Sequence, residues 1–181
     1  AVVFGFDGVL TDNREYIGYA DGAVIKARSH YDGQGISLLR SIGLKIAIVT
    51  NEQDDHARSA KFLVDKWNKL PSVTGKVSSN SWSPVALFTG RGNLKKETVI
   101  TNWLKDLGVP WEHCAVMGND LVDLPMLKCA GLRVAPIDGE EVIKKICHFI
   151  SIRPGGNGAI RDFVNFILDC REIDPSTLAL F

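Results

Sequence analysis

The chain has 181 residues, 45% of them hydrophobic, enough apolar material for one sizeable core. Its 21 basic and 21 acidic side chains cancel, so no chain-wide field draws it to nucleic acid or an anionic membrane, and no apolar run approaches the ~20 residues that cross a bilayer. Cys114, Cys129, Cys147 and Cys170 form no Cys-x-x-Cys pair, which argues against zinc or dithiol chemistry and for reduced thiols in the cytoplasm or nucleus.

Val2 to Phe6 is a nearly all-apolar run stopped by Asp7-Gly8, the pattern of a strand covered on both faces. Residues 14–31 set aromatic and β-branched side chains around Asp21-Gly22 and predict a β-hairpin. Ile36, Leu39 and Ile42 recur at helical spacing up to Gly43, and LKIAIVT reads as a second buried strand. A helix is expected over residues 54–70. Residues 71–95, rich in Ser, Gly and Pro, read as a loop insertion with a candidate strand at Val85 to Phe88. Beyond it, helical and strand patterns alternate until the loop GGNG, which feeds a helix with Ile160, Phe163, Ile167 and Cys170 on one face. Such alternation predicts an α/β doubly wound parallel sheet, a single domain over 1–181. In sheets of this kind the working groups gather beyond the carboxyl ends of the strands. Asp7, Thr50, Asn119, Asp120 and Asp123 fall there.

FDGVLTD, GAVIKARSHYDGQGISLL, IVTN, Lys96, GNDLVDLPML and GGNGAIRD follow one another along the chain. By these segments it resembles the haloacid dehalogenase superfamily, and more narrowly the phosphatases of 8-phosphoketodeoxyoctulosonate. The resemblance implies a Rossmann-like sheet with the hairpin in place of a cap domain. It also implies a chemistry: one aspartate attacks phosphorus, a second two residues on exchanges protons with the leaving alcohol and with water, and a hydroxyl, a lysine and Mg²⁺ hold the phosphoryl oxygens. Asp7 matches the acid/base, Thr50 the hydroxyl and Lys96 the lysine, while the nucleophile's position is Gly5. Shifting the register to make Asp7 the nucleophile would leave Val9 as the acid/base. In the metal loop the family's Gly-Asp-Asp is here Gly118-Asn119-Asp120. Asp7, Asn119, Asp120 and Asp123 therefore remain as the remnant of a metal site, with Mg²⁺ expected only if phosphatase activity survives. Anion contacts are expected at Thr50, Asn51, Lys96, and at Gly155 and Gly156 before a helix amino end.

With glycine for the nucleophile and an amide for a metal ligand, the chain resembles the phosphatase-like C-terminal domain of animal-type CMP-sialic acid synthetases. That resemblance implies a pseudophosphatase module that assembles and regulates an N-acylneuraminate cytidylyltransferase as a homotetramer. The cytidylyltransferase domain would then lie N-terminal to Ala1. Tyr16, Ile17, Tyr19, Val24 and Ile25 on the hairpin, and Leu178, Leu180 and Phe181 in the tail, are the expected interface groups. Two other readings stay open: an active magnesium-dependent phosphatase of a sugar acid phosphate, and a module that senses a phosphorylated metabolite. Each site residue also has a plain structural use, Asp7 in shaping a turn, Thr50 and Asn51 in capping a helix, and Asp120 and Asp123 at a helix start.

Overall fold

The computed structural model describes residues 1–18, 24–74, 82–90 and 94–178. Strands β1 (Val2–Gly5), β4 (Ile46–Val49), β5 (Ala86–Phe88), β6 (Ala115–Met117), β7 (Leu132–Ala135) and β8 (Phe149–Ile150) form one parallel sheet in the order β5-β4-β1-β6-β7-β8. β2 (Tyr16–Ile17) and β3 (Val24–Ile25) pair antiparallel as a separate hairpin, whose predicted Asp21-Gly22 turn lies outside the described residues. The connections run through α1 (His30–Ser41), α2 (Arg58–Asn68), the short α3 (Pro71–Thr74), α4 (Leu94–Asp106), α5 (Leu124–Cys129) and α6 (Glu141–Lys144), and the chain closes with α7 (Ala159–Cys170).

Both faces of the sheet are covered, which is why its strands read as continuous apolar runs. The two-residue period of the strand sorts the side chains. Val2, Phe4, Ile46, Ile48 and Met117 face a layer that includes Ile36, Leu39, Leu63 and Phe163, while Val3, Ala47, Val49 and Val116 face Ile100, Leu104, Met126 and Leu127. Each fully buried aliphatic or aromatic side chain supplies about 1.5–3 kcal/mol.

One local feature differs from the sequence reading. Helix α1 starts at His30, well before Ile36, because Ser29 Oγ accepts a hydrogen bond from the Tyr31 N–H and caps it. Within residues 71–95 the candidate strand is present as β5, which pairs parallel with β4. Asn68 fixes its entry by donating to the Val85 carbonyl at 3.0 Å and accepting from the Val85 N–H at 2.8 Å. No helix among the described residues is long and apolar enough to cross a membrane.

Strand order decides where a site can form. From β1 the chain steps to β4 and β5 on one side, then crosses back to β6, β7 and β8 on the other. The reversal at β1 opens a crevice beyond its carboxyl end, flanked by the ends of β4 and β6.

Candidate active site

At the end of β1 the backbone leaves the sheet through Phe6–Leu10, with Asp7 extended (φ −77°, ψ 132°) and Gly8 at φ 75°. Glycine is required at residue 8 twice over, since a Cβ there would also stand 2.0 Å from Asn119 Nδ2. Position 118 must likewise be glycine, because a Cβ would meet that of Asp123 at 2.6 Å. The first approach draws the loop after β6 onto the loop after β1, and the second folds the loop after β6 back on itself. A cavity of about 200 Å³ results, lined by Gly5, Asp7, Thr50, Asn51, Glu52, Lys96, Asn119, Asp120 and Asp123 among others.

Asp7 is held by its Oδ1 atom, which accepts from Lys26 Nζ at 2.7 Å and from Thr11 Oγ1 at 3.3 Å. Its Oδ2 accepts no hydrogen bond among the described residues. Lys26 comes from the hairpin, is almost fully buried, also pairs with Glu15 at 2.9 Å, and lies 5.8 Å from the centre of the Phe6 ring. Burial pulls Lys26 down, but the hydrogen bonds and charges of Asp7 and Glu15 outweigh it and hold the ammonium above the ordinary lysine value.

Thr50 follows β4 and is buried, with Oγ1 accepting from the Glu52 N–H at 3.1 Å. Its hydroxyl proton therefore remains available to an anion. Lys96, in the first turn of α4, is buried against Asp123 at 2.8 Å. The other oxygen of Asp123 accepts from the backbone N–H groups of Asn119 and Asp120, at 3.0 and 3.4 Å. Asp120 caps the turn Leu121–Asp123, its side chain accepting from Leu121 N–H.

Seven of the nine expected site residues thus line one cavity, and Gly155 and Gly156 do not. Their loop packs against the turn after β1 so closely that a Cβ at Gly155 would stand 2.0 Å from the Gly8 carbonyl oxygen. The Gly155 N–H donates to Asp138 Oδ1 and the Gly156 N–H to the Val9 carbonyl, each at 2.9 Å. At the amino end of α7, the N–H groups of Gly158 and Arg161 donate to the carboxylate of Asp32, each at 3.0 Å. Burial raises Asp32 above its ordinary value, and these backbone hydrogen bonds oppose the rise.

Sequence reasoning passed over Lys26, Glu52 and Asp32. A lysine between Ile25 and Ala27 in an otherwise apolar hairpin strand was the one signal that could have found Lys26. Asp32 reads locally as an ordinary first-turn carboxylate of α1.

Among the described residues four carboxylates (Asp7, Glu52, Asp120, Asp123) line the cavity; Lys26 pairs with Asp7 and Lys96 with Asp123, so Glu52 and Asp120 remain to repel a phosphate dianion unless a cation accompanies it. Among the described residues no group of three His, Cys, Asp or Glu side chains could hold a metal by itself. The donor set instead fits Mg²⁺ shared with the ligand, since this ion characteristically takes one or two carboxylates, substrate phosphate oxygens and water.

A parallel sheet with this crevice, an Asp after β1, a Thr after β4 and a Lys of α4 paired with an Asp beyond β6 define an α/β protein with a polar site at its switch point. Residues 12–160 match the family model of haloacid dehalogenase-like hydrolases, and the chain belongs to that family. Among curated relatives, the 3-deoxy-D-manno-octulosonate 8-phosphate phosphatase KdsC of Yersinia pestis is 31% identical over 90% of this chain and 75% of its own length. KdsC of Salmonella typhi is 28% identical over 92% of this chain and 78% of its own. A solved structure of the Moraxella catarrhalis phosphatase, in complex with magnesium, phosphate and KDO, has a TM-score of 0.76 at 26% identity, covering 93% of this chain and 84% of that one.

These relatives correct the expectation of a pseudophosphatase module that assembles a CMP-sialic acid synthetase: they are sugar acid phosphatases, whereas the likeness to the synthetase branch rested chiefly on Gly5 and Asn119. The physical reason is that two substitutions at one site say little about which relatives share the rest of the fold.

Proposed function

We propose that the chain is a magnesium-assisted phosphatase of a sugar acid phosphate. The observation that carries this reading is the convergence of Asp7, Thr50, Lys96 and Asp120 on one cavity at the switch point of the sheet. Its kinship with phosphatases of 3-deoxy-D-manno-octulosonate 8-phosphate supports the substrate class.

Thr50 donates its hydroxyl to a phosphoryl oxygen, and Lys96, set by Asp123, faces another. Asp120 would hold the cation, which would offset charge on the phosphoryl oxygens when bound. Since Gly5 carries no nucleophile, water attacks phosphorus directly. As the bond from phosphorus to the sugar oxygen breaks, one water proton stays on the new P–O oxygen and the other passes to the Asp7 carboxylate. Asp7 then gives that proton to the leaving alkoxide and returns to its ionised form. Lys26 fixes the carboxyl through Oδ1 and leaves Oδ2 for this transfer.

The test is phosphate release from a panel of sugar acid phosphates with and without Mg²⁺. Magnesium-stimulated release that disappears in Asp7→Asn is expected, and a wild-type protein inert toward the whole panel refutes the reading. Exposed Tyr16, Ile17 and Ile25 support self-association through the hairpin, which light scattering of Ile17→Asp beside wild type would measure. Of the other expected interface groups, Tyr19, Leu180 and Phe181 lie outside the described residues.

A further inference from the structure

A second cavity, of about 370 Å³, shares Phe6 with the first and is walled by Thr11, Lys26, Arg28, Arg58 and Phe62 as well. Three cations stand in this wall. Lys26 is neutralised by Asp7 and Glu15, and Arg58 pairs with Asp55 at 2.8 Å. Arg28 has no ion pair among the described residues; its one hydrogen bond there is a 3.5 Å contact to the Ser29 carbonyl.

Arg28 is nevertheless half-buried, its Nη1 only 3.4 Å from where a Cβ on Gly33 would lie. Burial lowers its pKa, against a smaller raising effect from the charge of Asp32. A partly desolvated guanidinium without an ion-pair partner is unfavourable by itself and gains most from a planar anion that takes both arms of its fork. Beside it Phe62, 71% exposed, offers an apolar ring with nothing to cover. The same guanidinium also borders the glycine-loop cavity, but there Asp12 and Asp138 oppose an anion, whereas among the described residues the wall with Phe62 contains no carboxylate.

We propose that Arg28 is a specificity residue that receives the carboxylate of the sugar acid, with Phe62 covering the sugar's C–H face, while the phosphate end lies in the neighbouring cavity. This rests on the phosphatase reading above and deepens it: the carboxylate, at the far end of the substrate from the phosphate, is what distinguishes a sugar acid from a neutral sugar phosphate.

The experiment compares wild type, Arg28→Gln and Arg28→Lys on 3-deoxy-D-manno-octulosonate 8-phosphate and on neutral mannose 6-phosphate. In Arg28→Gln, the preference for the acid, taken as the ratio of the two kcat/KM values, should fall on the order of 10- to 100-fold. Arg28→Lys should keep part of it, having the charge without the fork. An unchanged ratio in both variants overturns the proposal, and so does an equal loss on both substrates. Calorimetry with unphosphorylated 3-deoxy-D-manno-octulosonate separates this inference from the phosphatase reading. Binding that is present in wild type and lost in Arg28→Gln supports the subsite even if no phosphate is released. Equal binding by the two proteins, or none by wild type, sinks it.

Discussion

Gly5→Asp should convert direct attack by water into attack by the protein. Residue 5 has φ −59° and ψ 157°, which any residue adopts, and a Cβ there would stand 3.2 Å from Val9 Cγ2 and 3.7 Å from the Met117 carbonyl oxygen. A few tenths of an ångström of give by the Val9 methyl admits the side chain. The added carboxylate joins four others around the cavity, so without a divalent cation the variant should melt below wild type. Mg²⁺ should restore more stability to it than to wild type, because it binds the folded state selectively.

Removing a nucleophile costs roughly a millionfold in unrelated hydrolases, or about 8 kcal/mol of barrier at ~1.4 kcal/mol per tenfold. Asn119 still withholds one carboxylate from the metal, so only part of this should return: a rise of about a hundredfold or more in kcat. Asn119→Asp on the same background should raise it further. The assay is phosphate release with Mg²⁺, paired with acid quenching and mass spectrometry of the intact chain. An aspartyl phosphate should accumulate in the variant and be absent from wild type. A folded, Mg²⁺-binding variant that turns over at the wild-type rate and traps no covalent phosphate would refute the placement of the site.

Lys96→Met should be more damaging to stability than an ordinary surface change, by about 3–5 kcal/mol, because it strands Asp123 as a buried, unpaired carboxylate; chemical denaturation measures this, and Lys96→Met with Asp123→Asn should recover much of it. Asp32→Ala leaves the N–H groups of Gly158 and Arg161 unpaired and should cost about 1–3 kcal/mol for each. The pH dependence of Asp32 has a definite sign. Its folded pKa lies above the ordinary 3.8, so the native state holds the proton more tightly, and the stability this contributes is complete below 3.8 and lost as pH rises through the folded value. Asp32→Asn should remove that slope from denaturation curves taken through the acid range. Alkylation at neutral pH should mark exposed Cys170 before Cys114 and Cys147, whose thiols burial pushes up to about 11; peptide mapping reads the order.

Much of the fold was legible in the chain. Val2–Gly5, Ile46–Val49 and Ala115–Met117 announce buried parallel strands because both their faces are apolar. Asp7, Thr50 and Asp120 were legible as site candidates because each follows a strand end, where a doubly wound sheet exposes its polar groups, and Lys96 only through the family resemblance.

What the sequence could not determine was which charge meets which. Lys26 reaches Asp7 across 19 positions and Asp32 reaches Gly158 across 126, distances over which no periodicity carries information. The glycine loop before α7 reads as an anion cradle because its amides look free in sequence. Only the packing of α1 against α7 brings Asp32 to those amides, and only the hairpin's return toward β1 leaves Arg28 as the cation of its wall without an ion pair among the described residues. Local pattern fixes which groups a segment can offer, while their partners depend on how the segments come together, because a charge is satisfied by whatever lies within a few ångströms of it in space.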